Sequence, residues 1–254
     1  MLVELIGCTS AGKSRLARAA VRDCRERGIQ LSMGDDHVLQ RLGLNWIKGD
    51  LPRTLLLDLI GYAGCLIGCV KNRKLYSHIT RAILRLPSSV PLIQKLNIAR
   101  NAFKKIGLSE LIRRSAGDRQ IVLMDEGALH TAHYLFVHES VEPCAKELLT
   151  FLELIPLPDI AVYVQQDEVT LIERVLKRGH RRIPEANRAK VARFVQRAVS
   201  IFERLAQQSK LRERLVVVDS RRTVVVPQEY RTANAAAPVV LDILDRVLRS
   251  QQQG

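Results

Sequence analysis

The sequence predicts an α/β fold in which a parallel sheet is covered by helices on both faces. Three observations predict it. Short, almost wholly apolar runs recur along the chain and alternate with helical segments, the pattern of strands buried on both sides. The first run, Leu2–Ile6, leads straight into Gly7-Cys8-Thr9-Ser10-Ala11-Gly12-Lys13-Ser14 and then into a helical pattern. That motif reads GxxxxGKS, and strand, glycine-bounded loop and helix is the setting of a phosphate-binding loop. Finally, 254 residues that are 47% hydrophobic and 26% charged suffice for one large α/β domain with a real core, here residues 1–254.

The elements follow in order. Leu2–Ile6 is the first strand. Lys13–Arg27 is the first helix, closed by Gly28 just past its end. Ile29–Met33 is the second strand and runs into Gly34-Asp35-Asp36. Nearly ninety residues then separate it from the third strand, Ile121–Asp125. That is too long for a simple crossover. The segment is helical by pattern, with Pro52, Pro87 and Pro91 as breaks, so residues 50–118 read as a helical insertion. Ile160–Val164 is the fourth strand, Asp167 and Glu168 start a helix that Gly179 ends, and Leu215–Val218 is the fifth strand. A last helix spans Pro238–Leu248 with proline in its first turn, and the Gln251–Gly254 tail is expected to be disordered.

The chemistry concentrates at strand ends, where doubly wound sheets bind ligands. Gly7 and Gly12 let the loop turn so that the N–H groups of residues 7–15, from Gly7 through Cys8, Thr9, Ser10, Ala11, Gly12, Lys13 and Ser14 to Arg15, gather around phosphate oxygens. Lys13 would reach the β- and γ-phosphates of ATP, and the Ser14 hydroxyl would sit on Mg²⁺. Asp125, at the end of an apolar strand, is the second metal candidate. Glu126 beside it would orient a water in an ATPase, or support the metal or acceptor in a kinase. Asp36 faces the same crevice and either orients an acceptor hydroxyl or caps a helix starting at His37. Residues 174–190 read as an arginine-rich lid. In it Arg174 and Arg178 share a helix face, Gly179 lets the chain turn, and Arg181 and Arg182 fold over the transferring phosphoryl group. His130 and His133 stand three apart with no third ligand at metal-binding spacing, and with His138 they read as ordinary pocket residues.

These pieces resemble the P-loop nucleoside and nucleotide kinases, most closely the thymidylate-kinase-like branch. The matching features are GCTSAGKS, the strand-end Asp36, Ile-Val-Leu-Met-Asp-Glu-Gly at 121–127, the arginine-rich lid after Val-Tyr-Val, and Val216-Val217-Val218-Asp219-Ser220 before an adenine-contacting turn. The resemblance implies a three-layer fold with a five-stranded parallel sheet, ATP·Mg²⁺ as donor and a closing lid. Thymidylate kinases tend to carry Asp-Arg where this chain has Asp125-Glu126, so the resemblance does not extend to thymidylate as the acceptor. The function implied is an ATP-dependent phosphotransferase acting on a nucleoside, nucleotide or sugar. The alternative is a P-loop ATPase serving as a regulatory or assembly module, at a membrane or beside a polysaccharide-building machine.

Composition narrows the partners. A net charge of +14 implies anionic ligands. Aromatic content of 4% and the lack of a recognition-module pattern argue against nucleic acid. Five cysteines without a CxxC pair, and a first apolar run with no basic segment ahead of it, point to reduced thiols and a cytoplasmic setting. Cys8, inside the phosphate loop, is expected to make nucleotide binding sensitive to alkylation. Thr54–Val70 is apolar enough to suggest a membrane span. Its length and Asp58 favour a buried helix instead, with a membrane-facing or homodimer surface as the other readings.

Overall fold

The computed structural model describes residues 1–117, 120–138, 142, 144–180, 183, 187–219, 224–225 and 237–250. Their elements are β1 (Leu2–Ile6), α1 (Lys13–Glu26), β2 (Leu31–Met33), α2 (Gly34–Arg41), α3 (Asp50–Lys71), α4 (Arg73–Leu84), α5 (Leu92–Ser115), β3 (Ile121–Met124), α6 (Thr131–Phe136), α7 (Ala145–Leu154), β4 (Ile160–Val164), α8 (Glu168–Arg178), α9 (Arg188–Ala206), α10 (Ser209–Arg212), β5 (Leu215–Val218), β6 (Val224–Val225) and α11 (Ala237–Ser250). The expected Gln251–Gly254 tail, Ser220, Arg181 and Arg182 lie outside the described residues.

The sheet runs β2-β3-β1-β4-β5-β6. Strands β1 to β5 are parallel, with Val3 opposite Leu123 on one side and Ile160 on the other. β1, β3 and β4 are buried along their whole length, which is why they carry continuous apolar runs rather than alternation. The expected five-stranded sheet gains a sixth strand. β6 pairs antiparallel with β5 through only two residues, too short a run for a periodic signal.

Helices cover both faces. Val3, Leu5, Leu123 and Val162 face Leu16, Ala17, Val240 and Leu244 of α1 and α11 across a small apolar cavity. On the other face Leu2, Val122 and Met124 join Val38 of α2, Leu57 of α3 and Leu108 and Ile112 of α5 in a second core cluster. Residues 50–115 form three helices. α3 and α5 meet so closely that a Cβ on Gly107 would lie 1.8 Å from the Gly61 carbonyl oxygen, and one on Gly64 would lie 2.3 Å from the Gly107 oxygen. Asp58, buried within this contact, accepts from Arg100 Nε at 2.7 Å and pairs with Lys104 at 2.9 Å. Burial alone would raise the Asp58 pKa, but Lys104 and Arg100 outweigh it and hold the carboxyl below its usual value.

The expectation of a buried helix at Thr54–Val70 is corrected by this packing. Only the glycine face of α3 is buried; Leu55, Leu59, Leu66 and Val70 are exposed on the opposite side. The sequence shows an apolar helix either way, because hydrophobicity does not tell which of its faces finds a partner.

The glycine interlock is directly testable. Gly107→Ala must separate α3 from α5 or bend both, and we expect it to destabilise the protein by about 3 kcal/mol in urea unfolding. At exposed Gly117 an added Cβ meets nothing within 4 Å, so Gly117→Ala should change stability by under about 0.5 kcal/mol.

Candidate active site

β1 ends at the sheet's switch point: the chain reaches β2 and β3 on one side of it and β4 and β5 on the other. The loop after β1 is bent by positive φ angles at Gly7 (138°), Ser10 (67°) and Gly12 (103°). Gly7 is doubly constrained, since a Cβ there would lie 2.6 Å from the Val164 carbonyl oxygen. Gly12 is required by its dihedral alone, because nothing stands within 4 Å of its Cβ position. Ser10 adopts the left-handed conformation with a side chain, at a cost of about 1 kcal/mol. Such alternation makes a concave backbone whose N–H groups bind anions.

The side chains around the loop are arranged with it. Lys13 is buried, and its ammonium donates to the carbonyls of Gly7 and Cys8, both at 3.0 Å, so it braces the loop from within. The Ser14 hydroxyl donates to Asp125 Oδ2, while Asp125 Oδ1 is buried without a hydrogen-bond partner. One hydroxyl and one carboxylate, with an oxygen to spare, form a hard donor set that suits Mg²⁺. Cys8 corrects an expectation. It is buried, and burial pushes its thiol up to about 12, so it is a poor target for alkylation.

Glu126 stands next to this pair. It accepts from Tyr134 Oη at 2.5 Å and lies 3.5 Å from His130 Nε2. Burial raises its pKa, but the charges of His130, Lys13 and Lys105 and the Tyr134 hydrogen bond outweigh this and hold it at about 2. His130 and His133 stack at 5.3 Å among Phe194, Phe202 and Tyr134, so the histidine pair builds the wall behind Glu126.

The segment carrying Asp125 and Glu126 is fixed by Glu4, which the sequence reading passed over. This buried β1 side chain accepts the backbone N–H groups of Gly127 (3.1 Å), Leu129 (3.2 Å) and His130 (2.7 Å). Gly127 is required there, because a Cβ would lie 2.6 Å from the Glu4 carboxyl. Burial raises the Glu4 pKa to about 7, with the three N–H groups and Arg113 offsetting only part of the shift. The signal was available: one charge in an otherwise apolar strand, Leu-Val-Glu-Leu-Ile.

On the other side of the loop a cavity of about 400 Å³ opens between Gly12, Arg15, Gln165, Thr170, Arg174 and Asp219. Arg174 reaches the loop itself, donating to the Ser10 carbonyl at 3.2 Å. Asp167 caps α8 by accepting from Thr170 N–H at 2.8 Å, and Gly179 closes that helix with φ 75°. Arg178 is exposed at the end of α8. Gln165 and Thr170 carried no sequence signal, because their place in the cavity comes from the pairing of β4 with β5.

Asp36 is the predicted residue whose setting differs most. α2 begins at Gly34 with Met33 as its cap, so Asp36 lies inside the first turn rather than capping a helix at His37. Its carboxylate is exposed and pairs with Arg53 of α3, a partner that sequence distance concealed.

Glu4 yields a pH prediction. Its folded-state pKa lies above the ordinary 4.5, so the folded chain keeps a proton that the unfolded chain has lost. That contribution is fully present below about pH 4.5 and is lost as pH rises through about 7, by at most about 3 kcal/mol. Glu4→Gln cannot titrate. The Tm advantage of the parent protein over this variant should therefore shrink between pH 5 and pH 8, and a constant difference would contradict the assignment.

No protein-family model matches the sequence, and no curated protein matches it. Among solved structures, the chain is similar to thymidylate kinase from Ehrlichia chaffeensis, with TM-score 0.46 and 13% identity over 95% of this chain and 98% of that one. It is also similar to deoxyadenosine kinase from M. mycoides, with TM-score 0.44 and 12% identity over 100% of each chain. These structural neighbours are P-loop nucleoside and nucleotide kinases.

Proposed function

We propose that this protein is an ATP-dependent phosphotransferase acting on a small acceptor such as a nucleoside, nucleotide or sugar. The observation that carries the reading is the Lys13–Ser14–Asp125 arrangement: a braced lysine at the loop and a hydroxyl hydrogen-bonded to a strand-end carboxylate. In this reading the loop amides and Lys13 bind the polyphosphate, and Ser14 and Asp125 hold Mg²⁺. The bound metal would neutralise charge on the β- and γ-oxygens. Arg174 already touches the loop, and Arg178, with Arg181 and Arg182, would complete a basic lid that stabilises charge and excludes water.

The acceptor would meet Asp36 and Arg53, which together offer a carboxylate and a planar guanidinium on adjacent helices. Asp36 is the group suited to orient an acceptor hydroxyl. His130, Lys13, Lys105 and Tyr134 outweigh burial and keep the Glu126 carboxyl ionised at neutral pH. The alternative is a P-loop ATPase module in which Glu126 orients the attacking water.

Release of ADP measured over a panel of nucleosides, nucleotides and sugars tests the reading. We expect turnover that depends on an acceptor and falls about a hundredfold or more in Lys13→Met. Absence of ATP and GTP binding in the presence of magnesium would overturn the assignment. Glu126→Gln separates the two activities. Acceptor-dependent turnover should survive it within about tenfold, whereas an ATPase would keep nucleotide affinity and lose hydrolysis.

A further inference from the structure

α3 presents a long apolar surface to solvent. Every exposed residue between Leu55 and Val70 is apolar: Leu55, Leu59, Tyr62, Ala63, Leu66, Ile67 and Val70. Leu59 is 68% exposed and Leu66 72%. Leu51 extends the stripe at one end, and beyond it Trp46 is 71% exposed. Soluble monomers seldom leave contiguous apolar area on this scale without a use for it.

Two features say what kind of surface could cover the stripe. The first is its line. Leu51 and Tyr62, Leu55 and Leu66, and Leu59 and Val70 are each eleven residues apart. Eleven residues over three turns is about 3.67 per turn, close to the 3.6 of a straight helix, so the stripe drifts around the axis by only about 20° per repeat. Leu55 and Tyr62, and Leu59 and Leu66, are also seven apart, so spacing alone does not choose between a second helix and a flat surface, and charge must decide. A stripe about 30 Å long and straight fits a flat surface.

The second feature is charge. Between residues 42 and 100 stand nine Lys and Arg against two acids, Asp50 and Asp58. Asp58 is buried against Arg100 and Lys104. Lys48, Lys71, Arg73 and Lys74 are exposed and flank the stripe at its two ends. A second copy docked on the same face would bring two net-positive segments together, whereas an anionic lipid surface complements them.

Among the described residues, α3 is the one helix long and apolar enough to span a bilayer. Its packing forbids that use. Gly61 and Gly64 interlock with Gly107 of α5, and Asp58 is tied to the same helix. We propose that α3 instead lies in the plane of an anionic membrane, with Leu55, Leu59, Leu66 and Val70 entering the acyl boundary and the flanking lysines and arginines meeting phosphate headgroups. Lys13, Ser14 and Asp125 lie outside α3, of which only Arg53, paired with Asp36, belongs to the proposed acceptor site.

Trp46 is the sole tryptophan and reports on the contact directly. The full chain is mixed with phosphatidylcholine vesicles containing or lacking phosphatidylserine, and sedimentation and Trp46 emission are followed. We expect co-sedimentation and a blue shift with phosphatidylserine, weakened by salt, and binding about tenfold weaker in Leu59→Glu/Leu66→Glu. Both positions are exposed, so circular dichroism of this variant should match the parent. Replacing Lys71, Arg73 and Lys74 by Gln should remove the preference for phosphatidylserine. Equal binding by the Glu variant, or no binding to anionic vesicles at low salt, would overturn the proposal. So would a solution dimer that the Glu variant dissociates while vesicles bind neither form.

Discussion

The crevice depends on a buried carboxylate in the central strand. Glu4 lies two residues before β1 ends, and its oxygens take three backbone N–H groups from the loop after β3. Two loops that are remote in sequence are thereby held in one register. One supplies Lys13 and Ser14, and the other supplies Asp125 and Glu126. Loop N–H groups left unpaired in this buried place would each carry a desolvation cost of about 1–3 kcal/mol. The arrangement also explains Gly127, since the carboxyl occupies the space a side chain would need.

Around this clamp the charges divide by role. Lys13 is buried and satisfied by loop carbonyls. Asp125 keeps one oxygen without a partner while the other receives the Ser14 hydroxyl. Glu126 is held ionised by Tyr134 and by the positive groups about it. The crevice thus combines a fixed cation, a carboxylate oxygen without a hydrogen-bond partner and an ionised carboxylate.

The helical segment at 50–115 obeys a different constraint. α3 reaches α5 through glycines, which bring the backbones close enough that any side chain would collide. Close approach on one face leaves the bulky residues of α3 on the other, where no element among the described residues covers them. The same sequence feature, small residues spaced along an apolar helix, therefore creates both a backbone-to-backbone contact with α5 and a long exposed apolar stripe.

The parallel sheet, the glycine-bounded loop after β1 and the convergence of Ser14 and Asp125 on one place were legible in the sequence. They rest on local signals: apolar runs of strand length, glycines at fixed offsets and an acid at a strand end. Glu4 left a trace, as one charge in an apolar run, but its three partners did not, because they arrive from more than 120 residues away. The pairing of Asp36 with Arg53, the placement of Gln165 and Thr170 in the cavity, and the antiparallel two-residue β6 were likewise set by packing between distant segments. What the sequence determined by itself was which segments form elements and where the glycine-bounded loop turns, because propensity, periodicity and turn stereochemistry are short-range. Which face of α3 is buried, and which atoms hold the two loops together, only the tertiary structure decided, because burial is a property of the neighbours that folding brings into contact.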